Sequence, residues 1–175
     1  MSFYQKLGKI GPKFIRKHTL FKYGFNLSPM YRTSTARLIE VSEDLLKVRV
    51  KLPIKYNNRN YVGSIFGGSM FAAVDPIPMV QLINLLDSEF IVWDKSAEIF
   101  FRAPAKEDLY ADFEYTEKEL EEIKKSVSED GELEIVKSTL LTNKSGSKTY
   151  CEVKKRVYIA NKAYFKKKQE AKKRS

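Results

Sequence analysis

The residues most able to do chemistry lie in one stretch. Asn60 stands six positions before Phe66-Gly67-Gly68, and Asp75 stands nine positions after Phe66, with Gly63 in between. Backbone N–H groups at the start of a helix carry partial positive charge and can bind an anion or a developing oxyanion. Gly67 and Gly68 lie where such groups would be, and glycine lets a ligand come close to the backbone. Asp75 is the one carboxylate in an otherwise apolar run. Desolvation in such a place raises a carboxylate pKa and makes it a better general base. Each feature also has a plainer reading. The two glycines could permit tight packing, Asn60 could cap a loop, and Asp75 could be a hydrogen-bonded structural acid ahead of Pro76.

The element that must position these groups runs through Leu86. It is apolar on every side, as a helix buried in its own protein would be. A membrane span needs ~20 predominantly apolar residues, and Asp75, Gln81, Asn84 and two prolines interrupt this run. Pro76 lacks an N–H and clashes with the carbonyl of Ala72, so the helix should kink or restart there. Ser69 is the expected cap.

Before this helix, Arg37–Val41 reads as a strand, and Ser42-Glu43-Asp44 as a turn. Leu46, Val48, Val50 and Leu52 alternate with Lys47, Arg49 and Lys51, a half-buried strand that Pro53 ends. After it, the short apolar run Phe90–Trp93 is followed by Ala97, Ile99 and Phe101 pointing one way, until Pro104. Leu109, Ala111, Phe113 and Tyr115 alternate in the same manner. Thr116 and Glu119 have capping-box spacing and open a surface helix with Leu120, Ile123 and Val127 inward, stopped near Gly131. Residues 133–142 and 148–160 give the last strands. In total two strands precede the buried helix and four follow in hairpin-like sequence. At the N-terminus, Phe3, Leu7, Ile10 and Phe14 form a helical stripe that Gly11-Pro12 breaks into two pieces, over 3–23. Asn26–Thr35 reads as a loop.

The chain has 175 residues, 43% of them hydrophobic, enough for one domain with its own core. Its net charge of +10 sits at the ends. Residues 1–37 carry eight Lys or Arg and no acid, and residues 154–175 carry ten against one, whereas the middle holds fourteen against twenty-one. Such ends attract phosphate, nucleic acid or an anionic membrane surface, and the basic N-terminal segment could make a peripheral membrane contact. A solvated basic terminus is the simpler reading. No helix-turn-helix or aromatic RNA-binding signature points to nucleic acid. His18 is the only histidine, which argues against a zinc site. The single Cys151 fits a reducing cytoplasm, as does a first thirty residues without an uninterrupted apolar core. The chain divides into a basic N-terminal extension (1–35), a central domain (36–160) and a basic tail (161–175).

The architecture expected is α+β. Short connections favour antiparallel pairing, and a single twisted sheet wrapped around one long helix would bury it on all sides but one. A second copy would close that side. This order of elements, with Asn60, Phe66-Gly67-Gly68 and Asp75, resembles the hotdog-fold acyl-CoA thioesterase superfamily. It is most similar to the phenylacetate-pathway type and to a related hotdog-like family of unknown function. Ala97-Glu98-Ile99-Phe100-Phe101-Arg102-Ala103-Pro104 also looks like that family's strand ending in Arg-Pro or a near variant. The resemblance covers roughly residues 36–160, and it departs at one point: the motif histidine is Phe66. The resemblance implies a thioesterase without a cofactor other than the coenzyme A thioester itself. It implies a homodimer or a dimer of dimers. In it, Asp75 of one subunit faces the Gly67 end of the other, and Asn60 orients water or thioester. Gly63, Phe66 and Gly68 would line the substrate site, and Arg59, Arg102 and Lys106 would meet the coenzyme A phosphates. With Phe66 in place of histidine, the alternative is a non-catalytic acyl-ligand binding module.

Overall fold

A computed structural model describes residues 16–174 of the chain. The helical stripe Phe3–Phe14 therefore lies outside the described residues. Two helices open the described part, α1 (Lys17–Leu27) and the single turn α2 (Pro29–Arg32), followed by strands β1 (Arg37–Val41) and β2 (Lys47–Leu52). The buried helix comes as two segments, α3 (Gly67–Val74) and α4 (Pro76–Leu85). Then follow β3 (Phe90–Phe101), β4 (Leu109–Glu114), α5 (Glu117–Asp130), β5 (Glu132–Thr142), β6 (Thr149–Asn161) and α6 (Lys162–Arg174).

Local chemistry accounts for these boundaries. Thr116 Oγ1 accepts from the N–H of Glu119 at 3.1 Å, which caps α5. Glu119 does not complete the expected box. Its carboxylate turns instead to Lys137 at 2.9 and 3.1 Å, because a full ammonium attracts it more than a backbone N–H. Gly131 ends α5 with φ at 81°, a left-handed turn that L side chains rarely adopt. Pro76 divides α3 from α4 as expected, but the cap of α3 is Phe66 and not Ser69. The Phe66 carbonyl already receives the N–H of Ser69 and of Met70, which places Ser69 inside the first turn. Asn26–Thr35 is not all loop: α1 continues to Leu27, and Pro29, well suited to a first helical position, starts α2.

All strand pairs are antiparallel, in the order β1-β2-β4-β5-β6-β3. The expected hairpin-like run fails at β3, which pairs with β6 at the far edge and not with β4. The loop after β3 is tied across the end of the sheet. Arg102 N–H donates to the Tyr150 carbonyl at 2.8 Å, the Ala105 carbonyl accepts from Ile65 at 2.8 Å, and Asp108 accepts the N–H of Ile54 at 2.9 Å. The chain is thus carried from β6 over to β2. The two short apolar runs after the helix are one twelve-residue strand, with a bulge between Asp94 and Ser96. Between β4 and β5 the ladder is reduced to one pair, Tyr110 with Thr142.

The sheet curls around α3 and α4. Met70, Ala73, Val74 and Ile77 pack with Leu38, Val48, Val50, Leu52 and Ala111 in one apolar cluster. Leu82 and Leu86 pack with Ile123, Val127, Val157 and Ile159 in a second cluster that includes α5. One stripe of the helix remains less covered: Ala72, Pro76, Met79 and Ile83, spaced four, three and four. Ile83 keeps 46% of its surface. Among the described residues no helix is long and apolar enough to cross a membrane.

Candidate active site

The loop leading into α3 is built on polar side chains. Buried Asn58 donates to Thr35 Oγ1 at 2.7 Å and to the Pro53 carbonyl at 2.8 Å, and accepts the Lys55 N–H at 2.8 Å. Its own carbonyl accepts the N–H of Phe66 at 2.8 Å, which fixes where α3 begins. Asn60 Oδ1 accepts from the N–H of Val62 at 3.2 Å, from the N–H of Ser64 at 3.0 Å and from the Ser64 hydroxyl at 3.1 Å. The carbonyl end of Asn60 is thereby spent on the loop, and its amide nitrogen has no hydrogen-bond partner among the described residues. Gly63 sits inside this loop, its N–H on the Asn60 carbonyl at 3.0 Å.

At the helix start, Gly67 and Gly68 hold the first two positions, whose N–H groups have no partner within a helix. Two rings flank them. A Cβ on Gly67 would come within 2.6 Å of the Phe101 ring, and one on Gly68 within 2.3 Å of the Phe66 ring. A side chain at either glycine would have to push one of these rings aside. Both rings are largely exposed, Phe66 at 56% and Phe101 at 58%. Tyr61 and Val62, in the loop that precedes the helix, are exposed as well.

Asp75 lies at the junction of α3 and α4 with helical φ and ψ. Its side chain is 39% exposed, so the desolvation expected from the apolar run is only partial. Its carboxylate is not alone. Lys155 donates to Asp75 Oδ1, and the same ammonium bridges to Asp94 Oδ2 at 2.8 Å. Lys155 is 3% exposed. Asp94 Oδ1 is buried without a hydrogen-bond partner. Burial pushes the Asp94 carboxyl above the usual carboxylate range, while the hydrogen bond from Lys155 pulls the other way.

Gly67 and Asp75 share one helix, so their separation follows from helical rise: 75 − 67 is eight residues, about 12 Å. One chain does not bring them together on a single small group. Arg102 turns away from the helix and pairs with Glu152 at 2.7 Å, over the Phe100 ring. Arg59 and Lys106 are exposed on flanking loops. None of the predicted residues lines the cavity of about 190 Å³ between β4 and β5, which is bounded by Pro78, Gln81, Tyr115, Lys137 and Thr139 among others.

Three residues around these groups were not among those the sequence singled out. Asn58 carries no distinctive pattern. Lys155 does: Cys151, Val153, Lys155, Val157 and Ile159 alternate, so a lysine occupies an apolar phase. Asp94 is out of phase with Ala97, Ile99 and Phe101 and would face outward in a regular strand. The bulge turns it inward, opposite Val157.

Solved structures with a similar fold include a Pseudomonas aeruginosa protein of unknown function described as a probable thioesterase. It is 21% identical with a TM-score of 0.69, over 82% of this chain and 93% of that one. A thioesterase from Haemophilus influenzae matches at 11% identity and a TM-score of 0.60, over 82% and 90%. A thioesterase from Staphylococcus aureus, as a mutant, matches at 14% and 0.55, over 76% and 99%. No curated protein matches the sequence. The fold is a hotdog of the thioesterase kind. The model of a domain of unknown function, DUF4442, matches residues 17–159, more than half of the chain, and the chain belongs to that family.

Proposed function

We propose that this chain is an acyl-CoA thioesterase whose site is completed by a second copy of itself. The observation that carries the reading is the placement of two complementary groups on one helix. The helix start at Gly67 offers bare N–H groups to a thioester oxygen, and Asp75, about 12 Å along, offers an anchored carboxylate to water. Antiparallel apposition of two copies sets the Asp75 of each against the Gly67 end of the other. Two surfaces support such apposition. The outer edge of β3 is twelve residues long and has no strand partner among the described residues, and an unpaired edge of that length is a template for pairing. The stripe Ala72, Pro76, Met79 and Ile83 is the helix face a second copy would cover. In the reaction, Asp75 takes the proton of the attacking water, and the N–H of Gly67 steadies the oxyanion. As the carbon–sulfur bond breaks, Asp75 returns that proton to sulfur, so that coenzyme A leaves as its thiol and the acyl group as the free acid.

A second reading has its own observation. Phe66 replaces the motif histidine and its ring lies against Gly68, so the side chain cannot hydrogen-bond a thioester. On that reading the chain binds an acyl ligand on a thioesterase frame without turning it over. A panel of acyl-CoA thioesters assayed for free thiol, with wild type and Asp75→Asn side by side, separates the two. The thioesterase reading expects wild-type turnover and a loss of about 10²–10⁴-fold in the variant, with acyl-CoA affinity retained. The binding reading expects no turnover and unchanged affinity. Equal turnover in both proteins would remove Asp75 from the site.

A further inference from the structure

We propose that Lys155 is the positioning residue of this site: clamped between Asp75 and Asp94, it sets which way the Asp75 carboxylate faces. The inference rests on the thioesterase reading above and goes beyond it, because it assigns the site's geometry to a residue of the opposite wall.

Lys155 stands on the inward face of β6, between Val153 and Val157, both buried. Its ammonium is held from three directions. Asp75 accepts from it at the α3–α4 junction, Asp94 accepts at 2.8 Å from β3, and the Phe71 ring lies 5.8 Å away. Phe71 and Asp75 are four residues apart on the helix and share a face, so the lysine enters between them. A buried ammonium costs much desolvation unless it is paired. Two carboxylates on two different elements supply that pairing, and the β3 bulge exists at the spot where it brings Asp94 inward. The consequence for Asp75 is asymmetric. Oδ1 is engaged by Lys155, and Oδ2, which makes no hydrogen bond among the described residues, is the oxygen left for water. An exposed aspartate without such an anchor samples several rotamers. This one is fixed to the sheet, and a displacement of ~1 Å at a reacting group costs about 10²-fold.

The test uses Lys155→Met, Lys155→Arg, Asp94→Asn and the double variant Lys155→Met/Asp94→Asn, each assayed for thiol release, acyl-CoA affinity and melting temperature. Lys155→Met leaves Asp94 buried and unpaired and can fail to fold. The double variant removes that stranded charge and then carries the same prediction. The expected result is a fall in kcat of about 10²-fold per folded molecule, with KM and acyl-CoA affinity within about twofold. Lys155→Arg is expected to restore at least tenfold of that loss. Asp94→Asn, which loosens the clamp from the far side, is expected to fall between wild type and Lys155→Met. A folded Lys155→Met or double variant with wild-type kcat overturns the inference and leaves the thioesterase reading intact. A loss confined to KM, or one that Lys155→Arg does not relieve, also overturns it. A wild-type protein that releases no thiol from any acyl-CoA overturns the thioesterase reading and the inference with it.

Discussion

The Asn60 side chain has two ends with different work. Its oxygen organises residues 62–64, and its amide nitrogen faces no acceptor among the described residues. Asn60→Asp keeps the accepting oxygen and removes the donor. If the amide serves a bound thioester, the melting temperature should hold within about 2 °C while kcat/KM falls roughly tenfold, the value of one hydrogen bond of ~1.4 kcal/mol. Asn60→Ala should lower both. A substitution that moves only the melting temperature would assign Asn60 to the loop alone. At this scale the sequence was legible where spacing is local. Phe66, Gly67, Gly68 and Asp75 stand on one element, and their order along it is their order in the chain. What it did not reveal was Asp94. A bulge is one extra residue in a strand, and nothing in Phe90–Phe101 marks where the alternation skips.

Elements show the same division. Capping is local chemistry, and Thr116 and Gly131 bound α5 as read. Thr116→Ala removes the accepting hydroxyl and should cost about 1 kcal/mol. Gly131→Ala should cost more. It forces a Cβ into a φ of 81° and to within 2.2 Å of the Tyr164 ring on α6. Chemical denaturation of the two variants checks that order, and a smaller effect at Gly131 would contradict it. The position of β3 was not legible, because pairing with β6 is a non-local choice. Neighbours in sequence usually pair, and here the loop 102–108, pinned to Tyr150, Ile65 and Ile54, carries the chain away from that default.

For the whole molecule, assembly and pH are the informative variables. Light scattering at micromolar concentration should show at least a dimer, and a stable monomer would remove the shared site. A proline at Ala97, in the middle of β3, should weaken the dimer if the β3 edge is the seam between copies. On the alkaline side, stability should decline. Burial pushes the Cys151 thiol up from 9.0 to about 11, and burial also raises the Tyr31 and Tyr115 hydroxyls. The folded state holds these protons more tightly than the unfolded chain. The stabilisation is therefore full below about pH 9 and is lost as pH climbs toward 11. On the acid side the sign reverses for Asp108, which the hydrogen bond from Lys51 holds below the usual carboxylate range. Its contribution is lost as pH falls through that lowered value. Melting curves from about pH 2 to 11 test both slopes, the acid one falling below the ordinary aspartate range near pH 4. The thiol itself should react with Ellman's reagent only as fast as the protein opens.

The single ladder pair between β4 and β5 has a mechanical meaning. It divides the sheet into two three-stranded leaves, β1-β2-β4 and β5-β6-β3, that share few backbone hydrogen bonds. Beside that pair, Lys137 of β5 reaches across the gap, donating to the Glu114 carbonyl at 2.9 Å and to Glu119. Gln81 Oε1 lies buried beneath, with no partner. The molecule has a fault line there, running parallel to its strands. Under load, or in the rare openings that native-state hydrogen exchange records, the leaves should part along it before either unravels. Amides of β4 facing β5 should exchange well before those of β6, and Lys137→Met should hasten them selectively.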